Sequence, residues 1–436
     1  MRAGYGEQDI TPAIGAPLNG FAARLSPSTG VDLPLKARAL WLESGGERAI
    51  LITLDLLGIS DATAESWTAR IGAELGLPAQ AVILHCSHTH AGPMSVPLRG
   101  VGPADEEYLK TVGQAVIRAA AQAVAAAEPV QLRWGHEPVR IGMNRRQHVP
   151  GRGVVLGRNP GGPCDDRVRV LQLIGDHLSL CLFNHACHPY CVGPDHTVIS
   201  PDFCGHAVAA LERSGHQGMY LNGCAADIAP LRAFEGAVAA DEEGHRLAQA
   251  ALAAVHGAEP VARDPHLSVR SRRLSLAYQR VPPIESLARL IDDSDRTVRD
   301  EDRSNPTVRR RIHQAWKEWL NALAAAPKPL RPLETRVTTL RLGPVSIAAL
   351  PGEIFYETGR DLAPRFDGQH AIVAGYCHGF IGYVPPAHAH PEGGYEVEEA
   401  HRFIDLWKFN PDATDTLCEA AERLAKAEAV EPSATP

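Results

Sequence analysis

The sequence predicts an α/β fold, a layered mixed β-sheet core flanked by helices. Three observations carry this expectation. Through the first half of the chain, apolar runs of strand length alternate with stretches of helical spacing, the pattern of stacked sheet and helix layers. The composition, 44% hydrophobic and 22% charged, is that of a globular chain. Finally, 436 residues are ample to bury a core, with room for one large or two modest domains.

The elements follow in order. Ala37–Glu43 (ARALWLE) and Ala49–Leu54 (AILITL) read as strands, and Ala62–Leu75 reads as a helix stopped by Gly76. Val82–Cys86 is a further strand. Asp105–Ala127 opens with acids and continues in strong helix formers, so it predicts a long helix. Val130–Trp134, Arg167–Leu173 and Leu178–Phe183 read as strands, the last two joined by Gly175-Asp176 as a hairpin. Helices are expected at Asp202–Arg213 and Ala240–His256. Glu285–Ala325 is charged, rich in Arg and broken by Pro306, which predicts a solvated helical excursion at about 285–325. Strands return over Thr335–Leu350 and Ala371–Tyr376, with a helix at Ile354–Leu362 between them. No repeat or linker divides the chain, so residues 1–425 are expected to form one domain and residues 426–436, rich in Ala, Glu and Pro, a frayed tail.

Composition also excludes functions. With 43 Lys and Arg against 51 Asp and Glu the net charge is −8, so the chain lacks the basic footprint of a nucleic-acid partner. No run approaches the roughly 20 apolar residues of a membrane span, which argues against integral membrane contact. The first residues carry no apolar leader, and nine cysteines without a CxxC pair suit free thiols, so a cytoplasmic setting is expected. The 20 histidines point towards metal or proton chemistry.

His88-Thr89-His90-Ala91-Gly92-Pro93 follows the strand ending near Cys86. On an extended segment residues i and i+2 point to one side, so His88 and His90 can converge as metal ligands, or as a ligand and a proton-transfer group. Alone, the pair is equally compatible with loop histidines satisfied by their surroundings. A second cluster, Asn184-His185-Ala186-Cys187-His188-Pro189, again follows a strand, and Pro189 favours an extended, exposed His188. Zinc takes His nitrogens with a carboxylate, and Glu353 in Pro351-Gly352-Glu353 is a candidate, although an acid there also suits the first turn of a helix.

The chain resembles the neutral (alkaline, non-lysosomal) ceramidase family along nearly its whole length. The motifs that carry the resemblance are Asp9-Ile10-Thr11-Pro12, Pro17-Leu18-Asn19-Gly20-Phe21 with Arg24, Lys36-Ala37-Arg38-Ala39-Leu40 and Asp55-Leu56-Leu57-Gly58. They continue with the His88 to Pro93 segment, Asn144-Arg145, Ala186-Cys187-His188-Pro189, Asp227-Ile228-Ala229-Pro230, Pro351-Gly352-Glu353 and Gly382-Tyr383-Val384, all in the family's order. The resemblance implies one zinc ion per chain, held by His88, His188, Glu353 and Tyr383. It implies substrate-handling roles for His90, as proton donor to the leaving group, and for Arg145, which with Tyr383 would stabilise an oxyanion. Arg146 is expected to be a surface charge. Asp227, and with it Asn222 in the same loop, is expected to orient a ligand imidazole from behind the ligands.

The sequence departs from the family where a serine precedes the proline of the Asp227 loop: here the residue is Ala229, so a mechanism through that hydroxyl is excluded. The family's C-terminal β-sandwich and leader also lack counterparts, which favours a small or moderately polar amide over bilayer ceramide. The segment after Tyr383, with His388 and His390, differs as well and is expected to be an exposed loop or the lining of a polar pocket. The resulting expectation is a zinc-dependent amidohydrolase of a small-molecule substrate. An esterase or lactonase, a true ceramidase, a zinc-assisted lyase or isomerase on a sugar-like carbonyl, and a non-catalytic zinc protein are the alternatives. A homo-oligomer is left open.

Overall fold

The computed structural model describes residues 1–262, 265–292, 305–326, 328–366, 370–404 and 406–426. Of the expected tail only Lys426, the last residue of the helix Ala413–Lys426, is described, and the middle of the expected excursion lies outside these residues.

Two sheets form the centre. The larger has nine strands in the order Leu267–Leu276, Leu333–Leu342, Val345–Pro351, His370–Cys377, Val82–Cys86, Glu47–Leu54, Lys36–Ser44, Arg2–Asp9 and Glu128–Pro129. The second has five: Gln217–Asn222, Ser179–His185, Arg167–Ile174, Gln131–Pro138 and Glu259–Ala262. Both mix parallel and antiparallel pairs, as in Glu47–Leu54 beside Val82–Cys86 (parallel) and the expected hairpin of Arg167–Ile174 with Ser179–His185. The fold is therefore the layered mixed-sheet α/β architecture that the sequence predicts.

Strand alternation builds the layers. In Lys36–Ser44, Leu40 and Leu42 enter an apolar cluster with Leu171, Leu173, Leu180 and Leu182 of the second sheet, so the two sheets pack face to face. The alternate residues Ala37, Ala39 and Trp41 face the helices Asp61–Leu75 and Glu106–Ala125 on the other side. The outer face of the second sheet, including Val168, Val170 and Phe183, is covered by the helices Asp202–Arg213 and Ala237–His256. The result is a helix, sheet, sheet, helix stack. Strands covered on both faces read as nearly continuous apolar runs, which is why Ala49–Leu54 is legible without alternation.

Local chemistry sets the helix ends. Gly76 ends the first helix in the left-handed conformation, φ 62°, and the Asp105 side chain caps the next by accepting from the Tyr108 N–H. Pro306, expected to break a helix, instead opens Pro306–Ala325 under an Asn305 cap, where its missing N–H costs nothing. That helix is not solvated all round: Val308, Ile312, Ala315, Trp316, Trp319 and Leu323 form a buried stripe against Trp407 and Leu287. Ile354 also departs from expectation, since Glu353–Ile354 forms a short parallel ladder with Tyr383–Val384 and the helix starts at Tyr356.

Candidate metal centre

The candidate residues gather where strands from both sheets end. Val82–Cys86 leads to His88, Ser179–His185 leads to His188, and Val345–Pro351 leads through Gly352 (φ 74°) to Glu353. The strands Val82–Cys86 and His370–Cys377 meet with Cys377 opposite His85, next to this end. The short ladder sets Tyr383 directly beside Glu353.

His88 and His90 converge, but not by strand alternation. His88 has φ 71°, a left-handed kink, and its ring lies 5.0 Å from that of His90 and 4.8 Å from that of His188. His188, expected to be exposed, has no exposed surface. Its loop is folded inward because the His188 N–H donates to the Ile228 carbonyl.

Second bonds on the rings decide which nitrogen faces the centre. Nδ1 of His88 is 2.7 Å from the Leu57 carbonyl, Nδ1 of His188 is 2.7 Å from that of Ala225, and Nδ1 of His90 is 3.2 Å from that of Gly20. A carbonyl only accepts, so each Nδ1 carries the proton and each neutral Nε2 presents a lone pair. Glu353 Oε2 lies 3.3 Å from His88 Nε2 and 3.2 Å from His188 Nε2. His188 Nε2, His90 Nε2 and Glu353 Oε2 are buried without a hydrogen-bond partner. Burial drives His188 down to about 3, with Arg145 adding to the effect, and drives His90 well below the ordinary imidazole range.

Acceptor atoms without donors repel one another unless a cation lies between them. The donor set fits a metal: a tetrahedral ion with ligand bonds of about 2.0–2.1 Å sets its ligand atoms about 3.3–3.4 Å apart, close to both Glu353 distances. The ligating atoms of His88, His90 and His188 lie within 4.8 Å of one another, so His90 is also within reach of the same ion.

Arg145 is buried beside this cluster. Its Nη2 donates to the Tyr383 hydroxyl at 2.8 Å, its Nε donates to Glu396 at 3.0 Å, and its Nη1 lies 3.4 Å from the Tyr190 hydroxyl. Burial raises the Tyr383 phenol well above its ordinary value against the opposing charge of Arg145, so it keeps its proton. Arg146 corrects the expectation of a surface charge: it is 9% exposed and donates to Glu396 at 2.9 Å and to Glu392 at 3.0 Å.

Asp227 touches no ligand imidazole. Its carboxylate accepts from Asn144 and from the Tyr356 N–H, each at 2.8 Å, and the imidazole of His188 is oriented by the Ala225 carbonyl instead. Asn222 acts through backbone: its amide donates to the Ser87 carbonyl at 3.1 Å and accepts from the Cys187 N–H at 3.3 Å, one residue before His88 and His188 respectively. His388 pairs with Glu357 and His390 bonds Gln279, so neither joins the cluster, and His390 sits in a short helix rather than a free loop.

Three neighbours were not legible beforehand. Tyr376 stacks on His88 at 4.4 Å, Tyr190 lies 5.3 Å from His188, and Glu396 holds both arginines. Tyr190 follows His188-Pro189 directly, a weak signal; Glu396 stands among Glu392, Glu398 and Glu399 and carries none.

Comparison with solved structures places this arrangement in a known fold. A neutral ceramidase from Pseudomonas aeruginosa superposes with TM-score 0.73 at 18% identity, covering 97% of this chain and 74% of that one. A structure titled as ceramidase complexed with C2 gives TM-score 0.73 at 18% identity, covering 99% and 77%. The fold is thus that of neutral ceramidase. No protein-family profile and no curated protein sequence matches the chain.

Proposed function

We propose that the protein is a zinc-dependent hydrolase that cleaves a C–N amide bond in a small or moderately polar molecule. The observation that carries this reading is the convergence of His88, His188 and Glu353, whose facing atoms lie 3.2 and 3.3 Å apart with lone pairs inward and no proton donor between them. The likeness in fold to proteins named as ceramidases supports amide chemistry.

His88, His188 and Glu353 would hold the ion, with Tyr383 beside Glu353 as a fourth, exchangeable partner. Zinc, when bound, supplies Lewis acidity and brings the pKa of water down towards ~7. The chain's own residues do the rest. His90, neutral and with Nε2 aimed inward, takes a proton from the attacking water and returns it to the leaving nitrogen. Arg145 already spends one N–H on the Tyr383 oxygen, which leaves the Tyr383 hydroxyl proton free to meet an oxyanion beside the guanidinium. Burial of His88, His188, Glu353 and Arg145 lowers the local dielectric and strengthens these contacts, while His90 and Tyr383 stay partly exposed.

Metal analysis of protein purified without added zinc should give one zinc per chain, and Glu353→Gln and His188→Ala should lose it together with hydrolysis of a panel of small N-acyl amides. Turnover of that panel by metal-free variants would sink the reading. Activity confined to esters and lactones would move the substrate class while leaving the metal centre standing.

A further inference from the structure

We infer that Glu396 is a positioning residue that aims the Arg145 guanidinium at the reacting carbonyl; the inference rests on the role given to Arg145 above. Adjacent residues of a regular strand point to opposite faces, so Arg145 and Arg146 should not meet one carboxylate. They do: Arg145 Nε reaches Glu396 Oε1 at 3.0 Å and Arg146 Nη1 reaches Oε2 at 2.9 Å. The cause is a register shift between Asn144 and Arg146 in the pairing of Gly142–Val149 with Gly153–Asn159. Such bulges re-aim side chains. This one is pinned on both sides, since the Arg145 N–H donates to the Asp227 carbonyl at 2.8 Å and the Arg146 N–H to the Asn144 side chain at 2.9 Å.

Glu396 is itself 3% exposed, on the short helix Tyr395–Glu398. A buried carboxylate is costly unless its oxygens are matched, and here each oxygen meets one guanidinium. The division of labour is asymmetric. Arg146 has a second carboxylate, Glu392, and the Gly393 carbonyl at 3.0 Å, so it is anchored without Glu396. Arg145 otherwise donates to the hydroxyls of Tyr383 and Tyr190. By taking the Nε edge, Glu396 leaves both Nη groups to the hydroxyls of Tyr383, beside Glu353, and Tyr190, beside the His188 ring. Without it, the guanidinium can rotate about its last torsions and lose the contact with Tyr383.

Two readouts test this. In Glu396→Gln, the side-chain Nε–H resonance of Arg145, followed by nitrogen-15 NMR and assigned with Arg145→Lys, should broaden or exchange away while metal content is unchanged. On amides, kcat should fall roughly 10- to 100-fold with KM altered less than about threefold. Adding Glu396→Gln to Arg145→Lys should cost little more, because one acts through the other. Arg146→Gln, which leaves Glu396 in place, should keep both the resonance and kcat. Glu396→Asp supplies the same readouts if the Gln variant does not fold.

An unchanged Arg145 resonance in Glu396→Gln overturns the inference even if the protein hydrolyses amides. Equal loss in Arg146→Gln also overturns it, since the role then belongs to the ion network and not to the Glu396 carboxylate. A lost resonance in a protein that cleaves no amide leaves Glu396 as the device that aims Arg145 and removes the proposed reaction instead.

Discussion

Gly20 stands where the ring of His90 leaves no room for a side chain. A Cβ there would lie 2.7 Å from His90 Nδ1, and the backbone has φ 96°. Gly20→Ala should therefore push His90 out of place, at about 1–2 kcal/mol of backbone strain. The expected outcome is a loss of kcat of tenfold or more with zinc content retained, since His88, His188 and Glu353 are untouched; kinetics paired with metal analysis checks it. Asp227 illustrates a different residue-scale role. Burial pushes its carboxyl up to about 7, although the Tyr356 N–H opposes the shift. Asp227→Ala strands the Tyr356 N–H, leaves the Asn144 amide with the Pro163 carbonyl alone, and should cost about 2–4 kcal/mol in urea unfolding. His88, His188 and Glu353 are legible in sequence because each is a chemistry-bearing residue just past a predicted strand, whereas Tyr383 is marked only by the resemblance. Arg146 and Glu396 are not, because neighbouring arginines and acids look alike until a bulge turns them inward.

At the scale of elements, the helix Asp202–Arg213 is tied to its surroundings by His206. Its Nε2 meets Asp32 at 2.9 Å and its Nδ1 meets Asp241 at 3.0 Å, so the charged ring suits both contacts. Burial lowers its pKa, but the hydrogen bond and charge of Asp32, with Asp241 and Asp202, outweigh burial and raise it. The sign follows: the stabilisation is fully present below the ordinary imidazole value and is lost as pH rises through the raised folded value. Asp32, lowered against burial by the hydrogen bonds of His206 and Ser200, loses its share only as pH falls towards the acid range. His206→Gln should thus lower Tm most in mildly acidic buffer and little in alkaline buffer, as thermal melts across pH will show. In Pro306–Ala325, Trp316 is 1% exposed with the Arg402 guanidinium 4.6 Å over its ring. Trp316→Ala should cost about 3–5 kcal/mol, read by denaturant unfolding, where a fully solvated helix would lose almost nothing. The helical character of the segment was legible, but its start was not, because Pro306 reads as a break until the Asn305 cap is seen, and its buried stripe was masked by the Arg content of the same segment.

For the whole molecule, the centre joins both sheets. His88 and Glu353 extend from strands of the nine-stranded sheet and His188 from the five-stranded one, so an ion there would act as a cross-link between the layers. A ligand that binds only the folded state stabilises it, by about 2.7 kcal/mol at a hundredfold excess over Kd. Dialysis against a chelator should lower the Tm of the wild-type protein and zinc should restore it, while His188→Ala should melt at one temperature under both conditions. Among the described residues, no helix is long and apolar enough to cross a membrane.

The sequence by itself determined the layered α/β class, most strand and helix positions, and the histidines and glutamate that meet at the centre, because apolar period, turn residues and motif order are local properties of the chain. Only the tertiary structure decided how they act. The face-to-face packing of two sheets, the left-handed kink at His88, the burial of His188, the single carboxylate shared by Arg145 and Arg146, and the carbonyls that set each imidazole's proton all depend on contacts between distant segments. Such contacts are chosen by packing and hydrogen-bond satisfaction across the whole fold, which no local pattern encodes.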